Sequence, residues 1–150
     1  MPSYSMGLSK KYLNTNTEPV AFSPERLAEE MQKKMPMVIF AYLIGSAAEN
    51  CVVEPGSDLD LALYISGKPS LELYGLCAEV CEECVGNVRC DVGILNNAEP
   101  VYRFEALKGR LLFTRDTDAW LNFYSKACRE YESWMFHYEK QHRYRQEASS

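Results

Sequence analysis

From Ser23 onward, the spacing of apolar residues divides the chain into alternating helical and extended segments. Ser23-Pro24-Glu25 is a helix start, with a capping hydroxyl, a proline pre-set for the first turn and an acid at the positive dipole end. Pro36 stops that helix, which the pattern places over residues 24–35. Met37 to Ile44 is an unbroken apolar run rich in β-branched and aromatic residues, the mark of a strand covered on both faces. It ends at Gly45-Ser46, where a short helix can begin. Pro55-Gly56 fits a type II turn that feeds a second strand, Asp58 to Ile65. Period two there sets Leu59, Leu61, Leu63 and Ile65 on one face and Asp58, Asp60, Ala62 and Tyr64 on the other.

The second half continues the alternation. A helix from Ser70 to about Val85 carries Leu73, Leu76, Cys77, Val80, Cys81 and Cys84 at helical spacing and closes at Gly86. A third strand, Val88 to Leu95, holds one acid, Asp91. A short helix from Pro100 to Lys108, a brief strand from Arg110 to Thr114 and a long helix from Asp116 to the region of Arg145 complete the chain. The last helix repeats Trp120, Phe123, Tyr124, Ala127, Tyr131, Trp134, Met135 and Tyr138 in steps of three and four, a stripe expected mostly in the core. Its length exceeds what a small sheet covers, so its distal end is available to a partner. The expected fold is mixed α/β: a twisted sheet with flanking helices and a long C-terminal helix. Residues 1–22, polar and without periodicity, read as an irregular lead-in, and residues 23–150 as a single domain.

Composition narrows the classes. The chain has 150 residues, 47% of them hydrophobic and 25% charged, which fits one globular domain. Its net charge of −5 disfavours binding to bulk nucleic acid, since the average field repels phosphates. No apolar run approaches the roughly 20 residues that span a bilayer, and the N-terminus lacks a hydrophobic signal core, so a cytoplasmic location is expected. The six cysteines then read as reduced thiols. Cys77, Cys81 and Cys84 lie on a helix face that already carries Leu73, Leu76 and Val80, which favours packing over a zinc site. His137 and His142, five apart, point about 140° away from one another on a helix and read as surface residues.

The candidate chemistry sits around Gly45-Ser46. Backbone amides at a strand-to-helix turn can face a phosphate, and glycine permits close approach. Asp58 and Asp60 project from one strand face and can hold a hard divalent cation through oxygen, with Asp91 as a third carboxylate from another strand. Three acids beside such a turn suit phosphoryl or nucleotidyl transfer, which requires metal ions to neutralise a triphosphate.

At these residues the chain resembles the DNA polymerase β-like nucleotidyltransferase superfamily, whose signature is Gly-Ser followed by Asp-x-Asp and later by a third acid. Here Gly45-Ser46 precedes Asp58-Leu-Asp60 by eleven residues. Chain length and the stretch Leu107-Lys-Gly-Arg-Leu-Leu-Phe-Thr-Arg-Asp116 look most like the minimal nucleotidyltransferase (MNT) antitoxins that accompany HEPN-domain toxins. The resemblance implies Gly45 and Ser46 as contacts to ATP phosphates. It implies Asp58, Asp60 and Asp91 as catalytic Mg2+ ligands, with Asp91 activating the incoming hydroxyl. It further implies transfer of AMP to a tyrosine of a cognate HEPN ribonuclease toxin, which neutralises the toxin. Two alternatives stand beside it: an antitoxin acting by stoichiometric binding, and a small-molecule nucleotidyltransferase of the antibiotic-modifying kind. The chain departs from the common Gly-Ser-x-Ala-Arg-Gly pattern, reading Gly45-Ser-Ala-Ala-Glu-Asn50, so a phosphate-contacting Arg is missing. Lys108, Arg110 and Arg115 follow later, and either a triphosphate-facing or a solvated position fits them.

Overall fold

A computed structural model describes residues 18–149 of the chain. The elements run β1 (Val20–Ala21), α1 (Pro24–Lys34), β2 (Val38–Ile44), α2 (Ser46–Asn50), β3 (Val52–Val53), β4 (Leu59–Ile65), α3 (Leu71–Cys84), β5 (Cys90–Ile94), α4 (Pro100–Leu107), β6 (Arg110–Thr114) and α5 (Thr117–Ser149). The main sheet has the order β5-β4-β2-β6, with β4 and β5 parallel and the other pairs antiparallel. A parallel pair needs a crossover, and α3 supplies it. The mixed sheet, flanking helices and long last helix are those expected from the sequence pattern.

Local chemistry explains the boundaries. Ser23 caps α1 by accepting from the Arg26 amide, and Ser70 caps α3 by accepting from the Leu73 amide. Asp116 caps α5 in the same way, its Oδ1 accepting from the Ala119 amide at 3.0 Å. Gly56, at φ +80°, occupies the turn ahead of β4, where Ser57 N donates to Glu54 O at 3.0 Å.

Helices cover both faces of the sheet. On one face Leu59, Leu61, Leu63 and Ile65 pack with Leu27 and Met31 of α1 and with Leu73, Cys77 and Val80 of α3. On the other, Phe40, Tyr42 and Ala62 pack with Ala106 of α4 and with Phe123 and Ala127 of α5. A bulge between Val38 and Phe40 lets Val38 join the first core although Phe40 belongs to the second. The face of β4 that carries the acids is therefore acidic only at its start: further along, Phe40 stacks on Tyr64 at 4.7 Å and both meet Phe123.

The structure departs from the sequence expectation in two places. The irregular lead-in falls mostly on residues outside the described set, but Val20–Ala21 at its end pairs antiparallel with Val52–Val53. Two-residue strands are too short to show periodicity. The stripe of α5 is core only at Phe123 and Ala127, with Trp120 packed against them: Tyr124 is already 44% exposed, and Trp134 and Tyr138 are 39% and 55% exposed. Beyond the sheet they form a ladder on the helix itself, Tyr131 over Trp134, Trp134 over Tyr138 and Tyr138 over His142.

Candidate active site

The acids converge because of strand register. Asp60 lies opposite Ile44 on antiparallel β2 and beside Asp91 on parallel β5. Neighbours in register on adjacent strands point to the same face, so the two carboxylates stand side by side. Asp58 lies two residues before Asp60, on the same face, and Leu59 N donates to Arg89 O at 2.8 Å, tying the start of β4 to the approach to β5. Carboxylate oxygens of Asp58, Asp60 and Asp91 all lie within 4.8 Å of one another. Asp91 is exposed, while the other two are partly buried.

Three carboxylates this close repel one another. Burial, and then the charges of Asp91 and Asp58, push the Asp60 carboxyl up to about 6. Arg89 Nε stands 4.0 Å from Asp58 Oδ2, a loose and partly exposed ion pair that offsets only part of the negative charge.

The Gly45 turn closes the site. Gly45 adopts φ +78° at the start of α2, and a β-carbon there would lie 3.0 Å from Asp60 Oδ2. The backbone of the turn thus lies against the carboxylate, an approach that glycine permits. Ser46 follows as the first residue of α2 and is exposed. The structure accordingly brings Gly45, Asp58, Asp60 and Asp91 together, with Ser46 on the rim.

The donor set fits a hard divalent cation. It consists of carboxylate oxygens only, and Mg2+ takes oxygen ligands at about 2.0–2.1 Å. A spread of 4.8 Å needs only a small closure to bring all three oxygens onto one ion.

The three basic residues that follow α4 separate in space. Arg115 leaves the site: its guanidinium donates to the carbonyls of Gln32, Met35 and Val38, closing the end of α1. Lys108 pairs with Glu105 on the surface. Arg110 lies at the far end of α2 from Gly45, with its Nη1 3.6 Å from Cys51 Sγ.

One neighbour was not anticipated. Tyr102 of α4 lays its hydroxyl over Gly93, leaving no room for a β-carbon there. Burial, with the charges of Asp91 and Asp60 adding to it, pushes the phenol up. The available signal was a glycine inside a strand, two residues after a candidate acid, which often marks a close approach.

Comparison with known proteins adds the following. The polymerase β nucleotidyltransferase family profile matches residues 25–118. No curated protein matches the sequence. Among solved structures, a mutant MntA-HpeT toxin-antitoxin superposes with a TM-score of 0.64 at 15% identity, over 85% of this chain and 99% of that one. A toxin-antitoxin with AMP-PNP gives 0.63 at 15% identity, over 85% and 99%. A tri-AMPylated Shewanella oneidensis HEPN toxin in complex with MNT antitoxin gives 0.57 at 15% identity, over 85% and 97%. At such identity the likeness is one of fold.

Proposed function

The chain belongs to the polymerase β nucleotidyltransferase family, and on that premise we propose that it is a Mg-ATP-dependent antitoxin that transfers AMP to a tyrosine hydroxyl of a cognate HEPN toxin. The observation that carries this reading is the meeting of three carboxylates within 4.8 Å beside the Gly45 turn. Asp58, Asp60 and Asp91 would hold Mg2+, which would neutralise the triphosphate oxygens and make the α-phosphorus more open to attack.

The chain's own residues do the rest. Gly45 and Ser46 offer backbone amides at the start of α2 to the terminal phosphates, and Arg110 contacts the far end of that helix. Asp91, the most exposed of the acids, accepts the proton of the incoming hydroxyl. The hydroxyl oxygen bonds to the α-phosphorus as the bond to the β-phosphate bridge breaks, and pyrophosphate leaves. Tyr102 offers a neutral hydroxyl at the edge of the same site. Support for a toxin partner comes from the fold likeness to toxin-antitoxin structures, and support for ATP from the AMP-PNP among them.

A second reading, neutralisation by stoichiometric binding, draws on the exposed aromatic ladder of α5, a surface suited to a protein partner. Incubating the chain with a HEPN protein encoded beside it, α-labelled ATP and Mg2+ separates the two. Transfer of label to the toxin, lost in Asp58→Ala and Asp60→Ala with toxin binding intact, is the enzymatic result. Binding and neutralisation without label in the wild type overturns it.

A further inference from the structure

β5 turns different chemistry to its two sides. Cys90 and Asp91 are successive residues of a strand, so they project to opposite faces. Asp91 joins the carboxylates. Cys90 goes beneath α3, where Cys77 and Cys81 stand one helical turn apart. The three sulfurs lie within 4.8 Å of one another. Cys90 Sγ is 3.9 Å from Cys77 Sγ and 3.2 Å from Cys81 Sγ. Cys84, which helical spacing had grouped with them, points elsewhere, its Sγ 4.0 Å from Arg26 O on α1.

Burial of an apolar helix face accounts for Cys77 and Cys81 individually, since both belong to a core with Leu61, Leu73 and Val80. It does not account for three sulfurs, two from a helix and one from a strand, meeting at one point. All three are free thiols, with separations well beyond the roughly 2.05 Å of a disulfide. Three sulfurs around one ion at about 2.3 Å stand about 4.0 Å apart. The Cys77 to Cys90 separation already has that value, and the Cys81 to Cys90 separation reaches it by widening less than ~1 Å.

We infer that Cys77, Cys81 and Cys90 form a binding site for one thiophilic d10 cation, Cu+ or Zn2+, distinct from the carboxylate site on the opposite face of the same strand. The group holds only soft donors, with no imidazole or carboxylate in it, and thiolates select such ions over Mg2+. Three sulfurs complete the coordination of Cu+, whereas Zn2+ takes water as a fourth ligand. On binding, each coordinating thiol exchanges its S–H proton for a sulfur-metal bond and releases the proton to buffer. The ion clamps α3 onto the first residue of β5 and so fixes the strand that carries Asp91. Strand alternation thereby sorts the metals, oxygen-seeking on one face and sulfur-seeking on the other.

The test uses the full chain, purified reduced and without oxygen. It is titrated with Cu+ against a chromophoric chelator and, separately, with Zn2+, with Co2+ substitution as the optical probe. The expected result is one equivalent of Cu+ per chain, one thiolate-bound equivalent of Zn2+ in excess Mg2+, which competes for the carboxylates, and a sulfur-to-cobalt charge-transfer band in the near ultraviolet. Uptake is lost in Cys77→Ser, Cys81→Ser and Cys90→Ser, and kept in Cys84→Ser, Cys128→Ser and Asp60→Asn. No uptake of either ion by the wild type overturns the inference, as does Cu+ uptake or a sulfur-to-cobalt band that survives all three serine substitutions. Far-ultraviolet circular dichroism checks that the serine variants fold. Where one does not, the wild-type stoichiometry and the cobalt band decide.

Discussion

Gly45 lies directly against Asp60: a β-carbon on residue 45 would stand 3.0 Å from Asp60 Oδ2. The turn proposed to meet phosphate and the carboxylate proposed to meet metal are thus one steric unit. At φ +78°, residue 45 also sits where side-chain-bearing residues are strained. Gly45→Ala is expected to destabilise the fold by about 1–3 kcal/mol, and to weaken Mg2+ binding by displacing Asp60. Thermal unfolding with and without Mg2+ measures both. A variant with unchanged stability and unchanged Mg2+ response contradicts the contact.

The raised carboxyl of Asp60 makes stability depend on pH in a defined window. The folded chain holds this proton up to about pH 6, the unfolded chain only to about 3.8. Below 3.8 both states are protonated; as pH rises through the window the unfolded state releases its proton first, so metal-free stability falls from about pH 4 to 6. Asp60→Asn, neutral throughout, is expected to be more stable than wild type at pH 7 without metal by on the order of 1 kcal/mol after solvent screening. The two should converge near pH 4. Mg2+ restores the wild type alone. Denaturant unfolding at the two pH values tests this, and a variant less stable than wild type at pH 7 contradicts the charge repulsion.

If Asp91 takes the proton of the acceptor, its loss affects the reaction more than nucleotide binding. Asp91→Asn is expected to lower kcat about 100- to 10,000-fold while the KM for ATP changes far less. Steady-state AMP transfer to the toxin gives both numbers. An unchanged kcat removes Asp91 from the proton-accepting role.

Arg115 makes the opposite forecast. Its three hydrogen bonds, at 2.7, 2.7 and 3.1 Å, satisfy carbonyls at the end of α1 and the start of β2. Arg115→Ala is expected to cost about 1–3 kcal/mol of stability, with AMP transfer unchanged well below the melting temperature. Loss of transfer in a folded Arg115→Ala protein would return this arginine to the active site.

That contrast marks what the sequence made legible. The caps at Ser23 and Ser70, the turn at Gly56 and the period-two face of β4 are local, and their positions follow from residue chemistry within a few positions. Asp58 and Asp60 were readable as a pair for the same reason. The partners of Arg115, more than seventy residues away, were not, because nothing near residue 115 encodes which carbonyls it will meet. The Cys90 thiol was missed likewise, since helical spacing grouped Cys84 with Cys77 and Cys81 while the parallel pairing of β4 and β5 brought in a sulfur from the strand. The reach of α5 beyond the sheet was hidden too: a stripe of aromatic residues looks the same whether a neighbour covers it or the rings stack on each other along an exposed helix.

The central claim, that Asp58, Asp60 and Asp91 form a metal-dependent nucleotide site beside Gly45, is tested most directly by calorimetry of ATP binding to wild type and Asp60→Asn, each with and without Mg2+. Metal and nucleotide each offset the charge the other brings, so they should strengthen one another's binding by the same factor. The expected result is tight binding only in the wild type with Mg2+, and a much smaller metal effect in Asp60→Asn. Equal ATP affinity in all four titrations, or no binding in any, contradicts the claim.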